Sequence, residues 1–446
     1  MGGACRVRRL FNMRRVVVTG LGIVSPLGIG AKAHWEALLS GQSAVRRITS
    51  YDPSGFASQV AGEVPAYKIG DFVPKSYRKA TKVMARDIEL AVIAADDAFK
   101  DSGLKSAAYT ETPDFDGKRF GCNIGAGLIS CELNELTTAL TTSREDANPN
   151  RLDLKKWGRD GMNQLTPLWL LKYLPNMLAC HVTIVHQLKG PSNTITCADA
   201  SSHLAIGEAF RTIQRGAADL AICGGAESKV NPMGHMRQTL VKRLTERNEP
   251  PGEAVRPFDV EASGTAIAEG GGLLILEEYE RAKARGAKIY AELVGFAASQ
   301  DTHSITQPCP TGHAYGKAYA KALADANVPP AAVNLIVPNG LGIASHDRAE
   351  LTGLLSAFGG GLARIPFAPI KGQTGNIAAG SGVDAATAVL AVAHGTVPPA
   401  VNTRKVIDGQ SLNVSAAVRE MKIDVAVSGV YSLGGQNAVL VFRKTT

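Results

Sequence analysis

GPSNTITCADASSHLAIGEAFRTIQRGAADLAICGGAE, residues Gly190–Glu227, is the stretch that decides the fold. Its pattern predicts a strand, a sharp turn, a helix and a second buried strand that ends in glycines. Small side chains surround the turn at Ala198, Ala200, Ser201 and Ser202, and the helix after it directs its N-terminal N–H groups at the same spot. A turn of this kind is where an enzyme displays a nucleophile.

The rest of the chain repeats this alternation of strand and helix. A β-branched run at residues 14–24 predicts an opening strand, and apolar residues at helical spacing predict a helix over residues 80–104, with Gly103 as its stop. The second half contains further strands and an Ala-rich helix over residues 382–394. The pattern predicts an α/β protein with largely parallel central sheets, although no repeat is visible in the sequence itself.

The composition limits the class of protein to which this chain can belong. The 446 residues are 45% hydrophobic, which supplies a large core, and we find no apolar run long enough to span a membrane. The seven cysteines are scattered without metal-ligand spacing, so we expect a reducing cytoplasm, no disulfide framework, no metal and no cofactor. Residues 1–12 are too short and too basic for a signal peptide, and we expect a disordered tail there.

The charge balance is basic, with a net charge of +8 and a pI near 9.1. Such a balance suits a nucleic acid, a membrane surface or an acidic protein as partner. Because no dense Lys/Arg run is interleaved with aromatic residues, we do not expect nucleic-acid binding. An acidic protein partner and a basic proteome both remain as explanations.

Several short motifs occur together and in order. They are GPS at Gly190, GGAE at Gly224, RPFD at Arg256, LEEYERAKARGAKIYAELVGF from Leu276, KGQTGN at Lys371 and GGQN at Gly434. Over residues 13–446 the chain resembles the β-ketoacyl-[acyl carrier protein] synthases of type II fatty-acid and polyketide systems. The resemblance implies a thiolase fold, five-layered α/β/α/β/α from two similar βαβ-rich halves, which we place at residues 13–263 and 264–446.

The resemblance also shows which catalytic residues are missing. The family's catalytic cysteine stands seven residues after the Ser of GPS, which here is Asp199. Its first histidine falls on Asn339 in VPNGLGIASHDRAE, and its second on Asn376 in KGQTGN. In these enzymes the cysteine accepts the acyl chain, and the histidines promote decarboxylation of the malonyl thioester. We therefore predict that this chain alone does not catalyse malonyl condensation.

Other family positions are kept or changed. Lys371 and Glu350 remain, and the resemblance implies a buried ion pair between them as structural support. Leu341 and Ile343 replace threonines that bond pantetheine, and Leu433 replaces the phenylalanine that gates the acyl pocket. Each lost hydrogen bond is worth about 0.5–1.5 kcal/mol, so we expect weaker pantetheine binding.

Asp199 has two interpretations. As a helix cap it stabilises the turn without a catalytic role, and as a general base or weak nucleophile it suffers from a helix dipole that lowers its pKa. Cys197 is interpreted as a small buried hydrophobe and His203 as a satisfied core histidine. His303 and His346 lie near the active-site loops by analogy, but outside the catalytic register.

Two functions follow. The first is a catalytically silent ketosynthase-like subunit that resembles chain-length factors, although their usual replacement for the cysteine is Gln. The alternative is an acyltransferase or thioester hydrolase that uses Asp199. The resemblance implies an acidic acyl carrier protein as partner, and a dimer with an active ketosynthase or with a second copy. It places residues 176–190 and the strand near Asn193 at the dimer interface. It also implies that the insertion of about residues 129–175 covers the active site and contributes to that interface.

Overall fold

The computed structural model describes residues 13–445, so the tail predicted for residues 1–12 lies outside the described residues. In the described chain the strands are Val16–Ser25 (β1), Gly28–Ile29 (β2), Val45–Arg47 (β3), Val60–Gly62 (β4), Phe120–Ala126 (β5), Ser192–Ile195 (β6), Leu220–Ser228 (β7), Ile267–Glu278 (β8), Ala291–Gln300 (β9), Leu335–Val337 (β10), Thr396–Val397 (β11), Arg419–Glu420 (β12), Val425–Tyr431 (β13) and Gln436–Arg443 (β14). The helices are Ala31–Leu39 (α1), Arg86–Ser102 (α2), Leu133–Thr142 (α3), Leu154–Lys156 (α4), Met177–His186 (α5), Ser201–Gln214 (α6), Pro232–Leu240 (α7), Tyr279–Ala284 (α8), His313–Asp325 (α9), Ala344–Phe358 (α10), Lys371–Thr374 (α11) and Gly382–His394 (α12).

The helix predicted over residues 80–104 is divided in two. A 3₁₀ helix occupies Lys75–Val83, and α2 begins only at Arg86. The predicted stop is confirmed, because Gly103 ends α2 in the left-handed conformation with φ of 70°. The apolar face of α2 is buried, whereas the 3₁₀ helix before it carries basic side chains and buries none of its residues.

The strands form one path with two related wings. Its order is β10-β13-β14-β9-β1-β8-β7-β5-β6, and β1 pairs with β9 over Val16–Val18 where the wings meet. In each wing two antiparallel pairings lead outward to a parallel pairing, β7 with β5 in one wing and β13 with β10 in the other. The two wings therefore share one strand arrangement, although no repeat is visible in the sequence.

Helices fill the space outside and between the wings. Helix α2 packs on β1, β8 and β7, and α9 packs on β9 and β14, each forming an outer layer. Helices α6 and α12 contact strands of both wings and lie between them. Three apolar clusters separate these layers, and the central one contains residues of both α6 and α12. The predicted five-layered thiolase fold is confirmed.

The two central helices begin in the same way. A 3₁₀ turn at Ala198–Ala200 precedes α6, and one at Ala378–Gly380 precedes α12. Both turns open on an alanine at positive φ, 45° for Ala198 and 53° for Ala378. Left-handed backbone is costly for alanine, so both turns are held by their surroundings. The elbow that the sequence predicts is thus one of a pair.

The predicted boundary between residues 263 and 264 stays a prediction. Strand β8 follows that boundary, yet it pairs with β1 and β7 in the first wing. Within residues 13–445 no helix is both long and apolar enough to cross a membrane.

Candidate active site

Asp199 lies at the elbow, with 1% of its surface exposed. It is the middle residue of the Ala198–Ala200 turn, and α6 begins two residues later. The N-cap residue of α6 is Ala200, and no side chain accepts a hydrogen bond from the free N–H groups at this helix start. The Asp199 carboxylate therefore does not cap α6. The helix-cap interpretation was wrong, since both carboxylate oxygens are bonded elsewhere.

The partner that the sequence did not identify is Arg243. Its Nη1 lies 3.3 Å from Asp199 Oδ2 and its Nη2 3.4 Å from Oδ1, and the side chains of both residues are 1% exposed. The backbone of Arg243 is fixed just after α7, where its carbonyl accepts the N–H of Thr265 at 2.8 Å. A buried ion pair therefore fills the position where a nucleophile would stand.

Asn376 is the second partner of Asp199. It follows α11, and its Nδ2 donates to Asp199 Oδ1 at 2.9 Å. Its Oδ1 accepts the N–H of Ala378 at 3.0 Å, and its own N–H donates to the carbonyl of Ala266 at 2.9 Å. The side-chain amide is thus bonded at both its nitrogen and its oxygen and holds one orientation. The structure brings two of the three predicted site residues, Asp199 and Asn376, into direct contact.

These contacts determine the charge of Asp199. Burial by itself raises the pKa of the carboxyl, but the Arg243 charge, the hydrogen bond from Asn376 and the Lys229 charge together hold it below the ordinary value. The carboxylate is therefore ionised at neutral pH and is a poor base. The lowered pKa of Asp199 agrees with the sequence prediction, which attributed it to the helix dipole. Its cause in the structure is the charge of Arg243 and the hydrogen bond from the Asn376 amide.

Asn339 lies in a different environment. Its Nδ2 donates to the backbone carbonyl of Tyr431 at 3.0 Å, and its backbone N–H donates to Glu350 at 2.7 Å. Its Oδ1 is buried and has no hydrogen-bond partner. The structure therefore places Asn339 at the end of β10, bonded to the end of β13 rather than to Asp199.

The predicted Lys371–Glu350 ion pair is replaced by another. Lys371 Nζ donates to Asp384 at 2.9 Å, with both side chains nearly fully buried. Glu350 instead accepts the Tyr315 hydroxyl at 2.7 Å and the backbone N–H groups of Asn339 and Gly340. Burial raises the pKa of Glu350 to about 7, and the Lys371 charge opposes that rise. Lys371 thus supports the core through α12 and acts on Glu350 only by its charge.

A cavity of about 350 Å³ lies beside the elbow. Leu433 lines it together with Thr196, Ala198 and the charged pair of Glu227 and Lys229. Leu341 and Ile343 are not among its lining residues, and Leu341 is 1% exposed. Of the three predicted pocket residues, Leu433 alone contacts this space.

The other candidates do not form a catalytic set. His203 is fully buried, its Nε2 lies 2.9 Å from Ser428 Oγ, and burial lowers its pKa to about 3, which confirms a core histidine. Cys197 is half-buried at the entry of the elbow turn, after β6 has ended, and burial raises the pKa of its thiol. His303 is exposed, whereas His346 is 4% exposed.

Arg243 gave little sequence signal. It stands among Lys242, Glu246 and Arg247 in a run that is typical of a solvated loop. The structure buries Arg243 and leaves Lys242 and Glu246 exposed. Only the contact with Asp199, 44 residues away in sequence, distinguishes it.

Residues 13–282 match the family described as Beta-ketoacyl synthase, N-terminal domain, and residues 290–404 match Beta-ketoacyl synthase, C-terminal domain. A 3-oxoacyl-[acyl-carrier-protein] synthase 2 from Synechocystis sp. is 34% identical over 433 residues, which cover 97% of this chain and 98% of that protein.

Solved structures agree. The ishigamide ketosynthase/chain length factor is similar with a TM-score of 0.83 and 27% identity, over 97% of this chain and 100% of that one. A type II polyketide ketosynthase solved in complex with its acyl carrier protein has the same TM-score and identity, over 98% of this chain and 100% of that one. On these matches and on the fold, the chain belongs to the β-ketoacyl synthase family.

Proposed function

We propose that the chain is a non-condensing ketosynthase subunit that pairs with an active ketosynthase, as a chain-length factor does. One observation carries the proposal: the residue at the nucleophile position, Asp199, is a buried carboxylate bonded to Arg243 and Asn376. Condensation requires a thiolate that accepts the acyl chain and groups that stabilise the carbanion formed by decarboxylation. Neither a paired carboxylate nor an amide supplies the first of these.

The same observation opposes the alternative function. An acyltransferase or thioester hydrolase would need Asp199 to take up a proton or attack a thioester. Arg243 and Asn376 hold its charge, lower its pKa and occupy both oxygens. Asn376 and Asn339 cannot exchange protons in its place. We therefore retain the silent subunit as the conclusion.

The cavity beside the elbow suits a role in shaping the acyl chain. Its walls include Leu433 and Leu128 on the apolar side, with Glu227 and Lys229 paired on the polar side. Its volume of about 350 Å³ accommodates part of an acyl chain, and this role needs no catalytic residue in the cavity. In this proposal the cavity forms part of a tunnel shared with the partner subunit.

The proposed dimer face is the open end of the first wing. Strand β6 is the last strand of the path, its first two residues are exposed, and Ile184 on the neighbouring α5 is 58% exposed. Exposed apolar side chains are concentrated in the nearby sequence, at Leu128, Leu133, Leu140, Leu152, Leu154, Met162, Leu168, Leu170 and Leu171. An edge strand flanked by exposed apolar residues favours pairing with another subunit.

The proposed acyl carrier protein partner is acidic, and one segment of the surface is suited to it. The 3₁₀ helix Lys75–Val83 exposes four basic side chains, Lys75, Arg78, Lys79 and Lys82. None of the four forms an ion pair with a residue in the described part of the chain. Unpaired exposed charge of one sign steers a partner of the opposite sign.

Native mass spectrometry of the tagged protein, purified from its own host, tests the proposal. We expect a heterodimer with a ketosynthase that carries Cys, His and His at the catalytic positions. Ile184→Asp should abolish that heterodimer, whereas Ile305→Asp, at an isoleucine that is 79% exposed elsewhere, should leave it intact. A stable homodimer as the sole species would contradict the proposed pairing.

A further inference from the structure

A second, very small cavity lies beside Asn339. Its walls include Asn339, His346, Tyr431 and Asn437, and its volume is about 10 Å³. These four residues are 1%, 4%, 5% and 0% exposed, respectively. Each has a buried polar atom without a hydrogen-bond partner in the protein: Asn339 Oδ1, His346 Nε2, the Tyr431 hydroxyl and Asn437 Oδ1. Buried polar groups are almost always bonded, so four such atoms around one space need an explanation.

Hydrogen bonds from the amide nitrogens fix the orientation of the Asn339 and Asn437 side chains. Asn339 Nδ2 donates to the carbonyl of Tyr431 at 3.0 Å, and Asn437 Nδ2 donates to the carbonyl of Gly435 at 3.1 Å. Both Oδ1 atoms are therefore available as acceptors. The Tyr431 hydroxyl is a donor or an acceptor, and so is His346 Nε2, depending on its tautomer.

The neighbouring carboxylates are already bonded. Asp301 accepts the N–H groups of His303 and Cys309, at 3.0 and 2.7 Å. Both oxygens of Glu350 accept as well, one from the Tyr315 hydroxyl and the N–H of Asn339, and the other from the N–H of Gly340. Among the side chains that line this cavity, the buried atoms without any partner thus belong to four neutral groups.

We infer that this cavity is a binding site for one ordered water molecule, bonded by Asn339, His346, Tyr431 and Asn437. A water needs about 10–15 Å³ and two to four polar partners, and this site provides both. Water donates to the two amide oxygens and accepts from the Tyr431 hydroxyl, with His346 as its fourth partner. A malonyl group or a pantetheine arm is too large for the space.

The bound water has a structural consequence. Tyr431 and Asn437 flank the turn that carries Leu433. On the opposite side, Asn339 lies in the loop after β10 and His346 lies in α10. The water therefore joins the turn to the loop between β10 and α10. It fixes the position of Leu433, which lines the larger cavity at the elbow. This inference holds whether or not the chain pairs with a ketosynthase.

A crystal structure of the full chain at a resolution that shows ordered water is the first test. The crystals are grown once in sodium salts and once in rubidium salts. We expect a single peak at about 2.7–3.2 Å from all four atoms, without anomalous signal in rubidium. An empty cavity, or an anomalous peak that marks a cation, would overturn the inference.

Tyr431→Phe gives a second test in solution, because the sign of the change in Tm depends on whether the water is bound. With the water bound, removal of the hydroxyl loses a hydrogen bond, and we expect Tm to fall by about 1–2 °C. Without the water, the same change removes an unpaired buried hydroxyl, and Tm would rise. Tyr315→Phe is the matched control, since its hydroxyl bonds Glu350 directly and its loss must lower Tm.

Discussion

Asn376 and Asn339 are the residues that the sequence places at the positions of the two family histidines, yet the structure surrounds them differently. Asn376 is bonded at both ends of its amide and directs its N–H at the charged pair of Asp199 and Arg243. Asn339 bonds a backbone carbonyl and leaves its oxygen facing a small cavity that Asp301 and Glu350 also line. One half of the candidate site is closed by the Asp199–Arg243 ion pair, and the other half holds polar atoms without hydrogen-bond partners.

The difference extends to the neighbouring acids. Asp199 has a lowered pKa because Arg243 and Asn376 outweigh its burial. Beside Asn339, burial raises the pKa of Glu350 to about 7, and burial with the charge of Glu350 raises that of Asp347 to about 8. The candidate site thus holds a fixed ion pair in one half and protonatable acids in the other.

The largest effect is expected from breaking the ion pair. Arg243→Met should cost about 3–5 kcal/mol of the free energy of unfolding in urea, because it leaves Asp199 buried without a counter-charge. The double variant Asp199→Leu with Arg243→Met should recover much of that loss, since both buried charges are then gone.

A nearby arginine provides the control for this cycle. Arg247 pairs with Glu261 at 3.4 Å, and both side chains are partly exposed. Arg247→Met should cost about 0–1 kcal/mol. Equal losses for Arg243→Met and Arg247→Met would contradict the buried pair.

A smaller effect is expected in the pH dependence. Because the folded state raises the pKa of Glu350 from 4.5 to about 7, folded Glu350 keeps its proton to higher pH than the unfolded chain does. The contribution of Glu350 to stability should therefore fall as pH rises from about 5 to 7, by at most roughly 1.4 kcal/mol for each pH unit, and Asp347 adds a fall in the same direction. Glu350→Gln should reduce this slope in urea unfolding at several pH values.

Asp199→Asn provides the contrasting variant. Its lowered pKa makes Asp199 ionised in both states above pH 5, so its stabilising contribution is lost only at more acidic pH. The variant should change the free energy of unfolding without changing its slope between pH 5 and 7. A slope that changes with Asp199 but not with Glu350 would reverse the comparison.

The smallest effect is expected at the surface and depends on the proposed acyl carrier protein partner. Lys79→Ala should weaken binding of that protein about two- to fivefold at low salt, and less at high salt. Lys32→Ala, at a side chain that is 90% exposed and pairs with Glu36 on α1, is the matched control. Isothermal titration would contradict the assignment if both variants bound equally.

The sequence predicted local features well. The bounds of α12, the stop of α2 at Gly103 and the elbow between β6 and α6 follow from periodicity and turn chemistry over a few residues. The thiolase fold followed from the order of the motifs. The local features depend on residues that are close in sequence, and the fold prediction depends on the order of motifs along the whole chain.

What the sequence missed depends on long-range contacts. Arg243 is distinguished by Asp199 alone, and Lys371 bonds Asp384 on α12 instead of Glu350. The helix-cap interpretation of Asp199 failed for the same reason, because a charged partner competes with the helix N–H groups for the carboxylate. Which of several acids and bases pair in a core is decided by the packing of distant segments.

One assay tests the central claim most directly: the purified chain is incubated with malonyl and acyl thioesters of an acyl carrier protein, and β-ketoacyl product is measured. An active 3-oxoacyl-[acyl-carrier-protein] synthase serves as the positive control. We expect no product above the enzyme-free reaction, with wild type and Asp199→Asn alike. Product that forms with wild type and disappears with Asp199→Asn would show that Asp199 is catalytic and would contradict the account.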